Sequence, residues 1–591
     1  MSVTPSWAHR AMPRQCLRYW RPRGLKAVVV ALACAVTLQI LWTGVRGGFA
    51  FAVTLDMAVP RVHLPNRLGT SRSIPFKHDG NSLISVRRCV RTPAVGRRAE
   101  TNPRTVTRLI HGCSSVDALL SVLEAEMKGP VFNHIHISAA FSRMAKVRSY
   151  SDKRAWSSPV LVSLIDVTRK QLEDGPLDAR TCSSLFYSIA TLHVYAPALK
   201  GILPLLVESV KFAAHDFDTQ GLTNVIWGTA KLNTWDDGLR SMMSLLADVM
   251  VDTADSFEGR QLANIFWAGA VLRHQSPELL QALPAMAEVA EDRMMELNAQ
   301  GIANTLWAVA TLKESVPCLQ QLLPSLALAV LGTVQSFNAQ NIANSIWAIA
   351  RLKGNATDLY KAYPALLKAA EREMPRMNHQ GIANIMWAAA TLRNDAPSVN
   401  EILPSLTARL AGVVRTMNKQ DVANVIWSCG SLRLSSALSE RILSMAVPRA
   451  QELLGTFTAQ DVAMLCLGIG TCAIRDTAFL KSLVAHVRDK VSTWDRKGTQ
   501  QALPVLAWAL AKLSARSRVL LQTIAEHITP SLRRVNPWSL CALSWSYQEL
   551  AAGEAFADFR ERLRAEVERR HIPADMASTA YLTPEEWQRQ T

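Results

Sequence analysis

Three kinds of side chain recur at a fixed interval in this chain, and their chemistry is recognition rather than bond making. Trp227, Trp267, Trp307, Trp347, Trp387 and Trp427 stand 40 residues apart. Three residues before each is an asparagine: Asn224, Asn264, Asn304, Asn344, Asn384 and Asn424. Six residues after the later five Trp comes a cation: Arg273, Lys313, Lys353, Arg393 and Arg433. An amide offers a donor and an acceptor, an indole a stacking face, and a cation a contact for phosphate. Side chains suited to catalysis are not grouped in this way. The sequence has no P-loop, no GxSxG, no HExxH and no GxGxxG opening a helix after a strand. His134 and His136 form an HxH pair without further ligands nearby in sequence, so neither metal nor cofactor is expected. The ten cysteines include no CxxC pair, and Cys466 and Cys472 lie six apart in apolar sequence. They read as reduced, small core residues.

The elements that carry these residues follow from the spacing. A glutamine stands seven before most of the Trp, at Gln220, Gln300, Gln340, Gln380 and Gln420; Arg260 takes its place once. Gln300, Asn304, Trp307 and Thr311 are related as i, i+4, i+7 and i+11, which puts them on one helical face within about 60°. The segment QGIANTLWAVATLK is apolar nearly all round and rich in Ala, so it predicts a buried first helix. The stretch around QQLLPSLALAVLGTV has an apolar stripe and predicts a second helix. Its recurrent proline, at Pro204, Pro284, Pro324, Pro364 and Pro404, is tolerated near the first turn. Such a hairpin cannot bury its faces alone, so the units must stack. Worn units extend the array, with Ser142, Tyr187, Leu467, Trp508 and Trp545 in the Trp position. The prediction is an all-α chain: a right-handed α-solenoid of about eleven 40-residue hairpins over 111–550.

A Trp in every unit is first of all a packing residue. The recurrent Asn, a poor helix former, reads either as a buried ladder bonded to backbone or neighbouring amides, or as a row lining a groove for bases. An Asn identical in six units cannot tell bases apart, so any sequence reading falls to variable positions. One is the fourth stripe residue: Lys231, Val271, Thr311, Arg351, Thr391 and Ser431. The other stands six before the Trp: Gly221, Gln261, Gly301, Asn341, Gly381 and Asp421. The cation series reads either as complement to a helix C-terminus or as a ladder of phosphate contacts.

The net charge of +17 is not spread over the chain. Residues 1–110 hold 18 basic and 3 acidic side chains, whereas the remaining 481 hold 47 and 45. Charge alone is therefore no argument that the body binds phosphate. Residues 1–52 read as a signal-peptide-like leader with an apolar run at 27–42, short for a membrane span. Residues 53–110 are Arg-, Ser- and Thr-rich and read as a disordered transit segment. The pair resembles the bipartite presequences of plastids bounded by extra membranes, as in dinoflagellates and related algae. An uncleaved anchor, giving membrane contact through the leader alone, and a mitochondrial matrix presequence are the other readings.

The unit with Gln300, Asn304 and Trp307 followed by Leu-Lys resembles the octotricopeptide-type repeats and their relatives. These include FAST-kinase-like and RAP-domain organellar RNA proteins and the repeat subunits of kinetoplastid RNA-editing substrate-binding complexes. The resemblance spans about residues 130–550. It implies an RNA-binding solenoid, not an enzyme, acting on processing, stability or translation of single-stranded organellar RNA, with ribonucleoprotein subunits as further partners. On that reading the RNA site comprises the six Asn, the five cations, and Lys231, Thr311 and Arg351. No RAP domain follows residue 550; residues 551–591 read as a charged capping helix and a polar tail. Kinase signatures are absent too. The competing expectation is a protein-binding scaffold of HEAT or armadillo type.

Overall fold

The computed structural model describes residues 102–149, 154–232, 234–551 and 554–573. The leader at 1–52, nearly all of the transit-like segment and the polar tail beyond 573 lie outside the described residues. All regular structure among the described residues is helical, in an all-α helical-repeat solenoid.

Each unit is two antiparallel helices. The first helices run in order His134–Val147, Ala179–Leu192, Thr219–Leu232, Gly259–Val271, Ala299–Leu312, Ala339–Leu352, His379–Thr391, Lys419–Leu432, Ala459–Cys472, Arg496–Lys512 and Pro537–Leu550. Each packs on the next to form one layer, and the second helices stack alongside as another. The packed array begins earlier than the expected residue 111, with helix Pro103–Gly112. Asn102 caps that helix and Pro103 occupies its first turn, where a missing N–H costs nothing.

Local chemistry sets the boundaries. The Asn298, Asn338, Asn378 and Asn418 side chains accept hydrogen bonds from backbone N–H groups three residues on, at 2.8–3.0 Å. Asp218 and Thr458 do the same in their units. Each cap satisfies donors that the helix start would otherwise leave open. The recurrent prolines fall where expected. Pro204, Pro324, Pro364 and Pro404 stand in the first turns of second helices Leu203–Phe212, Leu323–Thr333, Tyr363–Glu373 and Leu403–Val413. Pro284 is the exception and lies inside helix Pro277–Ala290. A 3-10 turn precedes three of these prolines, at Pro197–Ile202, Pro317–Leu322 and Pro397–Ile402.

The core lies between the layers and between successive first helices. In Ala299–Leu312, Ile302, Leu306, Ala308, Val309 and Ala310 have no exposed surface. The second helices are one-sided: Leu323, Leu326 and Val330 are buried while Leu328 and Leu331 face solvent. The described cysteines are unpaired by disulfide and mostly buried. The thiol that meets Cys472 is not the sequence-near Cys466 but Cys429 of the preceding unit, and their hydrogen bond lowers the Cys429 pKa.

Candidate nucleic-acid interface

The small exposure that the first helices retain follows the stripe read from the sequence. Gln300 is exposed, Asn304 keeps 9%, Trp307 keeps 6% and Thr311 is half-buried, while the intervening faces are sealed. The stripe is thus the solvent face of the first-helix layer. Neighbouring helices press so closely that little but amide and indole edges shows.

The indoles are spent on one another. Tyr187 stacks on Trp227 at 4.9 Å, and Trp227–Trp267 and Trp347–Trp387 lie tilted at 6.2 and 6.1 Å between ring centres. Trp267, Trp307, Trp347, Trp387 and Trp427 are all buried, so no flat ring face is open to a base. Trp is scaffold in these units.

The asparagines behave differently. Asn304, Asn344 and Asn424 are buried to nine-tenths or more; Asn224, Asn264 and Asn384 are half-buried. A buried ladder requires partners, yet among the described residues only the Asn224 side chain has one. Its Oδ1 accepts from Gln220 Nε2 at 2.8 Å. The other five amides have no hydrogen-bond partner, and their polar atoms are not among those sealed from solvent. Leaving such a group unmatched costs about 1–3 kcal/mol unless water or a ligand completes it. The row therefore presents donors and acceptors, one amide per unit, at the floor of a narrow face.

The cations divide. Lys313 Nζ donates to the Arg351 carbonyl at 3.0 Å, and Arg393 donates to the Ser431 carbonyl. Both carbonyls sit in the last turn of the next unit's first helix, so these cations complement a helix C-terminus. Arg273 donates to the Ala270 carbonyl of its own helix at 2.9 Å. Lys353 and Arg433 sit at helix ends with positive φ of 50° and 51°, and both side chains are exposed, Arg433 with an interaction of its own. Arg273, Lys313 and Lys353 form no ion pair with an acid among the described residues. Arg351 lies close to them: burial first, and then the Arg351 charge, lowers the pKa of both Arg273 and Lys313, and Lys353 adds to the effect on Lys313. The cations of three successive units thus gather at the C-terminal end of the amide row, around the variable fourth position.

Three segments of the array, 295–306, 319–346 and 364–386, match a family model described as "Protein of unknown function (DUF1601)". No curated protein matches the chain. Among solved structures, a chain of the "Homology model of the full-length AP-3 complex in an intermediate open conformation" is similar at 12% identity. It has a TM-score of 0.20 and covers 83% of this chain and 88% of that one.

One sequence reading changes. The position six before the Trp is not a reading position: it is buried throughout, Gly221, Gly301 and Gly381 have no side chain, Gln261 and Asp421 are committed to caps, and Asn341 alone offers an amide. This position is the third residue of the helix and faces the residue before the cap. A Cβ on Gly221 or Gly381 would come within 2.8 Å of Phe217 or Met377. Gln261 Oε1 and Asp421 Oδ2 accept hydrogen bonds from the Glu258 and Asn418 N–H groups and complete capping boxes. The HxH pair diverges: His136 bonds the Pro103 carbonyl at 2.9 Å while His134 faces Asp178 at 3.7 Å. A series that the sequence reading missed is structural. Arg372, Arg409 and Arg449 of second helices donate to the Phe337, Met377 and Met417 carbonyls, tying each second helix to the entry of its own unit's first helix.

Proposed function

We propose that the first-helix face binds single-stranded RNA, with the Asn amides bonding base or sugar groups and the exposed cations at the helix ends holding the backbone. The observation that carries this reading is the row of in-register amides, five of the six without a hydrogen-bond partner among the described residues, beside a cluster in which Arg273, Lys313 and Lys353 form no ion pair among the described residues and Glu314 is the one acid acting on Lys313. Such a face, open to water in the free protein, suits a polar, periodic, anionic ligand. The repeat's resemblance to organellar RNA-binding repeats supports the same reading. It extends to action on organelle transcripts in processing, stability or translation, in a plastid or, as the alternative, the mitochondrial matrix. Binding rather than catalysis is the proposed activity, and lettering falls to fourth positions such as Lys231, Thr311 and Arg351.

One observation favours the second reading, a scaffold for protein partners. Arg273, Lys313 and Arg393 are already committed to carbonyls, which leaves fewer cations for phosphate. The two readings part on salt. The test measures affinity of the 591-residue chain for labelled oligoribonucleotides across a salt series. RNA binding gives a steep slope, and Lys353→Ala flattens it by about 0.7 for one lost single-strand contact. Asn304→Asp with Asn344→Asp, which places carboxylates on the amide row, weakens binding more than tenfold with the fold intact. Absence of salt-sensitive binding, or binding indifferent to the paired substitution, sinks the RNA reading.

A further inference from the structure

Away from the amide row, at the C-terminal end of the array, lies an open cavity of about 640 Å³. Its walls come from three elements: the start of helix Arg496–Lys512, the 3-10 turn Thr529–Arg534 and the capping helix Ala557–Arg569. Five guanidinium groups line it, Arg496, Arg533, Arg534, Arg562 and Arg569, against the single carboxylate of Glu566. That carboxylate is already taken. Glu566 is buried and accepts from Arg569 at 2.8 Å and from Arg570 at 2.7 Å. Arg570 in turn donates to the Val535 and Leu532 carbonyls at 2.6 and 3.1 Å, fixing the capping helix to the turn. Arg562 leans to Asp558 at 2.9 Å. Arg496, Arg533 and Arg534 have no acidic or hydrogen-bonding partner among the described residues.

Nothing in the packing accounts for this convergence. The three free guanidinium groups hold no carbonyl and brace no helix among the described residues, unlike Arg570. Like charges brought together in a concavity raise the energy of the empty site and focus a positive potential within it. Earlier turns leading into other first helices are mixed in sign, acidic at Asp216 and Asp255 and basic at Arg376 and Arg415, but none sets two arginines side by side as Arg533 and Arg534 do. The cavity volume falls within the range of small-ligand sites and exceeds a lone inorganic phosphate. Arginine forks match phosphoryl oxygens two at a time.

We infer that this cavity is a binding site for a terminal phosphoryl anion, a phosphomonoester or diphosphate, held by Arg496, Arg533 and Arg534. The site is separate from the amide row and does not rest on the RNA reading. Two sources share the chemistry: the phosphorylated end of a nucleic-acid strand, and a free nucleotide.

Calorimetric titration of the 591-residue chain with inorganic pyrophosphate tests the site. The expected result is saturable, salt-sensitive binding at one site, weakened roughly tenfold or more by Arg533→Ala with Arg534→Ala. The paired lysine replacement, which keeps charge but loses the forks, weakens it less. The groove variant Lys353→Ala leaves it unchanged, so failure here and failure of the RNA reading are separable. Circular dichroism and melting confirm that each variant is folded. Competition then distinguishes the sources. A 5′-phosphorylated oligonucleotide that displaces pyrophosphate better than its 5′-hydroxyl counterpart identifies a strand end. A nucleoside triphosphate that displaces it while the two oligonucleotides behave alike identifies a free nucleotide. No pyrophosphate binding by the parent chain, or equal binding by the paired alanine variant, overturns the inference.

Discussion

Replacing Trp307 by alanine separates packing from recognition at single-residue resolution. The indole is 6% exposed and wedged between neighbouring units, so its loss is expected to cost about 3–5 kcal/mol in a denaturant titration. A loss under about 1 kcal/mol would mean that the Trp ladder holds nothing together. Spacing alone made this role legible: six indoles in one register can hardly be anything but contacts between identical neighbours. The state of each amide was not legible, because its possible partners lie both one turn back on the same helix, as Gln220 does for Asn224, and about 40 residues away in the next unit, where reach depends on helix separation. For the same reason the position six before the Trp looked like a code. Gly, Gln, Asn and Asp vary there, but Gln261 and Asp421 serve as capping-box partners and the glycines make room for the residue before the cap.

Among elements, first helices Lys419–Leu432 and Ala459–Cys472 approach each other closely at glycine. A Cβ at Gly468 would lie 2.5 Å from the Ile426 carbonyl oxygen, and one at Gly430 would lie 3.0 Å from the Thr471 side chain. Gly468→Ala is therefore expected to force the helices apart and to lower stability by about 1–3 kcal/mol or more. Gly332, on an exposed stretch of a second helix with nothing within 4 Å of its Cβ position, supplies the contrast. Gly332→Ala should stabilise by about 0.5–1 kcal/mol. Thermal melts of the two variants check both signs, and equal effects would refute the contact argument. Helix existence, order and the place of proline could be read from periodicity. The Arg372, Arg409 and Arg449 ties could not, since each joins a second helix to a carbonyl 32 or 35 residues earlier, and no local pattern marks such a separation.

For the array as a whole, each unit leans only on its neighbours, so protection against hydrogen exchange is expected to be highest at the central Trp units and to decline toward both ends. The C-terminal end carries a pH signature as well. Arg569 first, with Arg570, holds the Glu566 carboxyl down at about 2. A depressed carboxyl stabilises above its ordinary range and loses that contribution as pH falls toward the folded value. Between about pH 4.5 and 2 the capping helix should therefore lose exchange protection before the central units do. Uniform loss across the array would show that Glu566 does not fasten the cap. Charge at this scale was the least legible quantity. The +17 belongs mainly to residues 1–110, whereas the arginine cavity is assembled from three segments that sequence keeps far apart.

The amide row has a further consequence, which concerns register. Six asparagines, one per unit and identical in kind, form a one-dimensional lattice without an origin. A strand that met only these amides would find the same contacts after sliding by one unit. Its bound state would be several superimposed placements, worth about 1 kcal/mol in mixing entropy for six of them. A face of this kind is a rail. It acquires an address where its translational symmetry is broken: at Lys231 and Arg351, where the fourth position turns cationic, and at Arg260, where the glutamine is missing.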